Sequence, residues 1–318
     1  MAADPTYPLF PIFFILSAVL LLLVLTTRFV RQSWNLGVSF LCFWLFWEVL
    51  TGGINAILWS DNADVKFYVY CDIVSHLQLF TSVVKPACTL LTTRRLYKIV
   101  SLRSVLPPSR KEKITDIAVE WIIGCGIPVL ATSSDYIVQG SRFSVLEGLG
   151  CTNSLSPSWL MLITISSWHI ILPSVSVFFY WPKTVYILYR HSRDTTQFLR
   201  SNNSISRPSY LRLLALASID VIISLPVGII SFLEGLVIAV SNDYSIPFYQ
   251  GWKWTHSDWA PDSLSYAALQ AQGHWTLSNY YLDRWLSIVL ALVIFSFFGL
   301  TADARATYRH GLYTIGKL

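Results

Sequence analysis

The sequence predicts an all-α membrane protein, a bundle of seven transmembrane helices with its N-terminus outside and its C-terminus in the cytoplasm. Three observations predict it. Seven apolar stretches, residues 9–27, 36–58, 69–91, 117–136, 159–180, 211–240 and 281–300, are each long enough to cross a bilayer. At about 1.5 Å of helical rise per residue, about 20 apolar residues span the ~30 Å hydrocarbon layer. The composition, 54% hydrophobic and only 13% charged with a positive mean hydropathy, is too apolar for a water-soluble domain of 318 residues. Basic residues crowd alternate gaps, which marks those gaps as cytoplasmic. Backbone groups in lipid must bond within their own segment, and continuous rather than alternating apolar runs select helices over a barrel.

In chain order, residues 9–27 have no basic residue before them, and Arg28 and Arg31 follow at once, so this run reads as an uncleaved first span and not as a signal peptide. The second carries Glu48, and the third carries Asp72, His76, Lys85 and Pro86. Cys71 at the outer mouth of the third span and Cys151 in the next outer loop face an oxidising compartment, and a disulfide between them is expected. Cys42, Cys88 and Cys125 fall inside spans as small apolar thiols. The cytoplasmic loop 94–116 combines a Pro107-Pro108 turn with the basic run Arg110-Lys111. The fourth span holds Glu120 and the fifth His169, and the next loop contains a flexible link, Ser201 to Ser204. The sequon Asn202-Asn203-Ser204 is on the cytoplasmic side and so should stay unmodified. The sixth span carries Asp220, Pro226, Gly228 and Glu234. After the seventh, residues 302–318 form a short cytoplasmic tail with an amphipathic stretch over 302–312. No internal repeat is visible, and the whole chain, 1–318, reads as one membrane domain. The net charge of +5 is a topology signal, so nucleic-acid binding is not expected.

Ionisable groups inside spans need a partner or a water-filled cavity, because a bare charge at mid-membrane costs about 2.5–3.5 kcal/mol on insertion scales. Asp72 and His76, one helical turn apart, read either as a local carboxylate–imidazole pair or as a polar patch that meets a ligand. Lys85 and Asp220 reach similar depths. They read either as a resting-state ion pair between the third and sixth helices or as two charges satisfied separately. Pro226 either merely kinks the sixth helix or hinges it. The outer connection 241–280 contains Trp252, Trp254, Trp259 and Trp275, and reads as an interfacial aromatic belt or as a lid over an apolar ligand.

The seventh span has no lysine for a retinal Schiff base, and neither a His-Glu-x-x-His nor a Gly-x-Gly-Asp motif occurs. No enzyme activity, metal or cofactor is expected. A transporter would show repeated halves and paired broken helices, which are absent, yet it stays open as the second function class. A receptor fits better.

Specific residues give that receptor a family. Trp34-Asn35, Asn55-Ala56-Ile57-Leu58-Trp59, Cys71-Asp72-Ile73, Lys85-Pro86-Ala87 and Thr93-Arg94-Arg95-Leu96-Tyr97-Lys98-Ile99 occur in order. Tyr136-Ile137-Val138-Gln139-Gly140, Gly150-Cys151, Tyr210 to Ala217 and Gly251-Trp252 with His256 complete the set. With these motifs the chain resembles the fungal lipopeptide mating-pheromone receptors of the a-factor receptor type. That resemblance implies a plasma-membrane receptor for a farnesylated peptide pheromone, coupled to a heterotrimeric G protein. Membrane lipid would surround it, and a homodimer stays open. On this reading Asp72, His76, Glu234, Trp252, Trp254 and Trp259 contact the ligand, and Lys85, Asp220 and Pro226 carry activation. Arg94, Arg95, Arg207 and Arg212 meet the G protein or simply snorkel as anchors. Outer carboxylates, Asp283 among them, would steer a basic peptide. Thr93 stands where other receptors carry an acid before the arginine, so any resting lock must differ. Members of this family often have a longer cytoplasmic tail.

Overall fold

The computed structural model describes residues 4, 6–30, 36–101, 109–190, 207–241 and 247–315. Pro107-Pro108, Trp34-Asn35 and the 201–204 link with its sequon lie outside the described residues, as do the side chains of Arg207, Glu234 and Trp275.

The described chain is mostly helical, and six of its helices are long and apolar enough to cross a membrane. They are the first, Leu9–Val30; the second, Leu36–Leu58; the fourth, running through Arg110–Trp121 and Ile127–Val138; the fifth, from Trp159–Met161 to Trp181–Arg190; the sixth, Arg207–Ser241; and the seventh, His274–Ile294. Wider π-helical turns interrupt the fourth at Ile122–Gly126, the fifth at Leu162–Ser166 and Ser176–Tyr180, and extend the seventh through Phe295–Gly299.

The third helix, Tyr68–Ser101, is different. Its 34 residues make it about 51 Å long, but its composition is much more polar. It packs against the second, fourth, fifth and sixth helices, so its polar positions face protein and not lipid. Thr81, Thr89, Thr92 and Thr93 are buried there, and Thr81, Thr92 and Thr93 return hydrogen bonds to carbonyls one turn back. The first helix packs along the second and the seventh around Phe10, Phe14, Leu21, Leu45, Ile288 and Ile294. Gly228 in the sixth helix lets it meet the fifth closely: a Cβ there would lie 2.7 Å from the His169 carbonyl oxygen.

The all-α expectation misses a small sheet at the end of the bundle where the third helix begins. Strand β1, Ser144–Leu146, pairs antiparallel with β2, Gly150–Thr152, and parallel with β3, Asp262–Leu264. Three-residue strands are too short to show an alternating pattern in sequence. Cys151 of β2 is disulfide-bonded to Cys71 at the top of the third helix. Gly150 allows the hairpin to lie on the second helix, since its φ is +76° and a Cβ would sit 2.5 Å from that of Asn55. The tail stretch forms a helix, Ala302–Ile315, that touches the first helix.

Candidate functional site

A cavity of about 260 Å³ lies between the third, fifth, sixth and seventh helices. Ile223, Val227, Phe232, Leu286, Leu290 and Val293 make it apolar along one side, and Lys85, His169, Asp220, Asp283 and Ser287 supply its polar side. Charges enter this depth only because they satisfy one another. Lys85 Nζ donates to Glu48 Oε1 at 3.0 Å and to Ser287 Oγ at 3.0 Å, and lies 3.8 Å from Asp283 Oδ1. The Ser287 hydroxyl donates in turn to Glu48 Oε1 at 2.7 Å.

This geometry corrects one expectation and adds to another. Lys85 is not paired with Asp220. It turns to the second and seventh helices, where a carboxylate with a supporting hydroxyl is in reach, and Asp220 accepts instead from the Thr89 hydroxyl. Lysine's four-carbon stem is long enough to choose among neighbours, so equal depth does not specify a pair. Asp283, read from sequence as an outer carboxylate, has a side chain 60% exposed and also lies within reach of Lys85. The seventh helix starts at His274, so Asp283 is more than two turns inside it and lines the cavity. The signal was present, since Asp283 and Ser287 are one turn apart on a face that also needs a partner for the isolated Glu48.

A polar chain runs from the β1–β2 hairpin toward this cluster. The Cys151 carbonyl accepts from Asn55 Nδ2 and from Gln78 Nε2, both at 3.2 Å, and Gln78 Oε1 accepts from Arg284 Nη2 at 2.9 Å. Asp72 is taken by Arg142, which donates Nε to Oδ1 at 2.9 Å and Nη2 to Oδ2 at 2.5 Å. This carboxylate holds the guanidinium pKa above its usual value. The local Asp72–His76 side-chain pair is therefore not formed: His76 Nδ1 meets the Asp72 main-chain carbonyl at 2.7 Å, and its Nε2 is 3.9 Å from Asp135 Oδ2. A bidentate guanidinium outcompetes a single imidazole contact.

The aromatic connection is folded across the same end of the bundle as the sheet. β3 fixes it to the hairpin, and Pro247 and Phe248 carbonyls accept from the first amides of the fifth helix. His256 stacks between Trp252, at 4.0 Å, and Trp259, at 5.1 Å, and reaches the Tyr136 carbonyl at 3.0 Å. None of the three tryptophans predicted as ligand contacts lines the cavity, nor do Asp72 and His76, whereas Lys85 and Asp220 do. Pro226 lies in the sixth helix just before the cavity residues Val227 and Gly228.

At the opposite end, Arg94 is buried, with Nη2 2.9 Å from Asp116 Oδ1, and Lys98 shares the same oxygen. Asp116, from the fourth helix, supplies the acid that Thr93 does not, a partner that sequence reasoning missed because it sits 22 residues away. Arg95 and Arg212 are half-buried.

Residues 9–316 match the family described as STE3, pheromone A receptor. The chain is 33% identical over 308 residues to the pheromone B alpha 3 receptor of Schizophyllum commune, covering 96% of this chain and 47% of that protein. It is 25% identical over 300 residues to pheromone receptor 1 of Ustilago hordei, covering 94% and 82%. It is also 25% identical over 285 residues to the pheromone a factor receptor of Saccharomyces cerevisiae, covering 88% and 57%. The chain spans about half the length of the Schizophyllum relatives it matches.

Proposed function

The chain belongs to the pheromone A receptor (STE3) family, whose members are receptors and not enzymes, and we propose from that premise that it is a plasma-membrane receptor for a farnesylated peptide mating pheromone, coupled to a heterotrimeric G protein. The match along residues 9–316 carries the proposal. In it the third helix is the remaining span of seven, the N-terminus is outside and the basic loops are cytoplasmic.

The ligand meets Asp72, His76, Glu234 and the Trp252–Trp259 lid, and its apolar part reaches the cavity below. Binding favours a state in which the sixth helix pivots near Pro226. A full switch from 1:99 to 99:1 needs a preference of about 5.5 kcal/mol for that state, so contacts equal in both states contribute nothing to it. At the inner end the switch loosens Arg94 from Asp116. Arg94, Arg95, Arg207 and Arg212 then meet the G protein.

Substituting Trp252 and Trp254 by Ala tests the lid. The two side chains are 49% and 61% exposed, so their truncation should change stability by about 1 kcal/mol or less. The double variant should reach the surface at normal levels and respond to farnesylated peptide only at much higher concentration. Loss of surface expression with unchanged sensitivity would instead make the segment a membrane belt.

A further inference from the structure

Three carboxylates and two permanent cations gather in and around the cavity. Glu48, Asp220 and Asp283 face Lys85 and Arg284, the latter adjacent to Asp283 and bonded to Gln78. His169, on the fifth-helix wall, adds a charge only when protonated. Asp220 is 7% exposed and accepts from Thr89, and no described basic side chain is within ion-pair distance of it. Ser224, one turn further on the same face of the sixth helix, also lines the cavity, and its hydroxyl is buried without a partner. A second unpartnered oxygen, Oε2 of the 4%-exposed Glu48, belongs to the carboxylate whose other oxygen meets the cavity residues Lys85 and Ser287. Orphaned acceptors and an uncompensated carboxylate call for a cation.

We propose that this cavity binds a monovalent alkali cation such as Na⁺ at Asp220 and Ser224, with water completing its coordination. A volume of about 260 Å³ accommodates an ion with several waters, each of which takes about 30 Å³ in the liquid. One buried carboxylate without an ionic partner, Asp220, matches a monovalent ion. Among the described residues no group of three His, Cys, Asp or Glu is placed to hold a metal, so the donors are one carboxylate, hydroxyls and water, which suits neither zinc nor calcium. Asp220 is tied to the third helix through Thr89 and faces the seventh across the cavity. The ion therefore stabilises the closed arrangement, and an outward pivot of the sixth helix disperses its ligands. Reciprocity then requires that it lower agonist affinity.

Thermal unfolding of the purified protein in detergent, in sodium chloride against N-methylglucamine chloride at equal ionic strength and pH, tests the site with no agonist present. A saturable rise in Tm with Na⁺ is expected, absent in Asp220→Asn and weakened in Ser224→Ala. Equal Tm in both salts, or an undiminished rise in both variants, overturns the proposal. Should Asp220→Asn not fold, Ser224→Ala alone decides. The coupling to agonist rests on the receptor function proposed above and is read separately: Na⁺ should reduce farnesylated-peptide affinity severalfold in wild type and not in Asp220→Asn. Failure of this second effect with the first intact removes the coupling and leaves the ion site standing.

Discussion

Replacing Lys85 by Met should destabilise the protein by about 3–5 kcal/mol, the usual consequence of removing one partner from a buried pair. The effect comes from what is left behind. Glu48 is buried with one oxygen already unpartnered, and without Lys85 the other retains only the Ser287 hydroxyl. Asp283 loses its contact as well. The remedy follows from the same geometry. In Lys85→Met with Glu48→Gln, the neutral amide still accepts from Ser287, so most of the lost stability should return. Thermal unfolding in detergent of the two single variants and the pair measures this. A Lys85→Met protein as stable as wild type would show that the cluster contributes nothing. Since Lys85 joins the second, third and seventh helices and not the sixth, its loss should also alter basal signalling through the seventh helix.

Breaking the disulfide should have an effect of similar size. Cys71 and Cys151 are 80 residues apart, and in the chain-entropy account a closed loop of that length restrains the unfolded chain by about 4–5 kcal/mol. The bridge also holds β2 in place, and the Cys151 carbonyl receives both Asn55 and Gln78. Cys71→Ser, Cys151→Ser and the double variant should therefore lose the same stability, because each removes one shared bond. Losses that add in the double variant would mean that the two sulfurs act by separate packing.

The apolar spans were legible because lipid demands an unbroken run of about 20 apolar residues, and that demand is local in the chain. The third helix carries a weaker signal because its neighbours are protein; only its flanks and its length mark it. The small sheet was not legible, for three-residue strands have no period to read. Inside the site, Glu48 and Lys85 were recognisable as charges that need partners, but which partner each takes is decided by rotation of helices about their axes. The pairing of Arg94 with Asp116 was hidden for the same reason. The aromatic segment was recognisable by its density of rings, whereas the stacking of His256 between Trp252 and Trp259 depends on Tyr136 near the end of the fourth helix.

Agonist affinity in membranes from cells that express the chain with its G protein tests the receptor function most directly. A farnesylated, methyl-esterified peptide identified from a synthetic panel should bind in a saturable way, lose affinity when the farnesyl group is removed, and lose affinity when a non-hydrolysable GTP analogue uncouples the G protein. Binding that is indifferent to the GTP analogue, accompanied by net movement of the ligand across sealed vesicles, would contradict a receptor and identify a transporter.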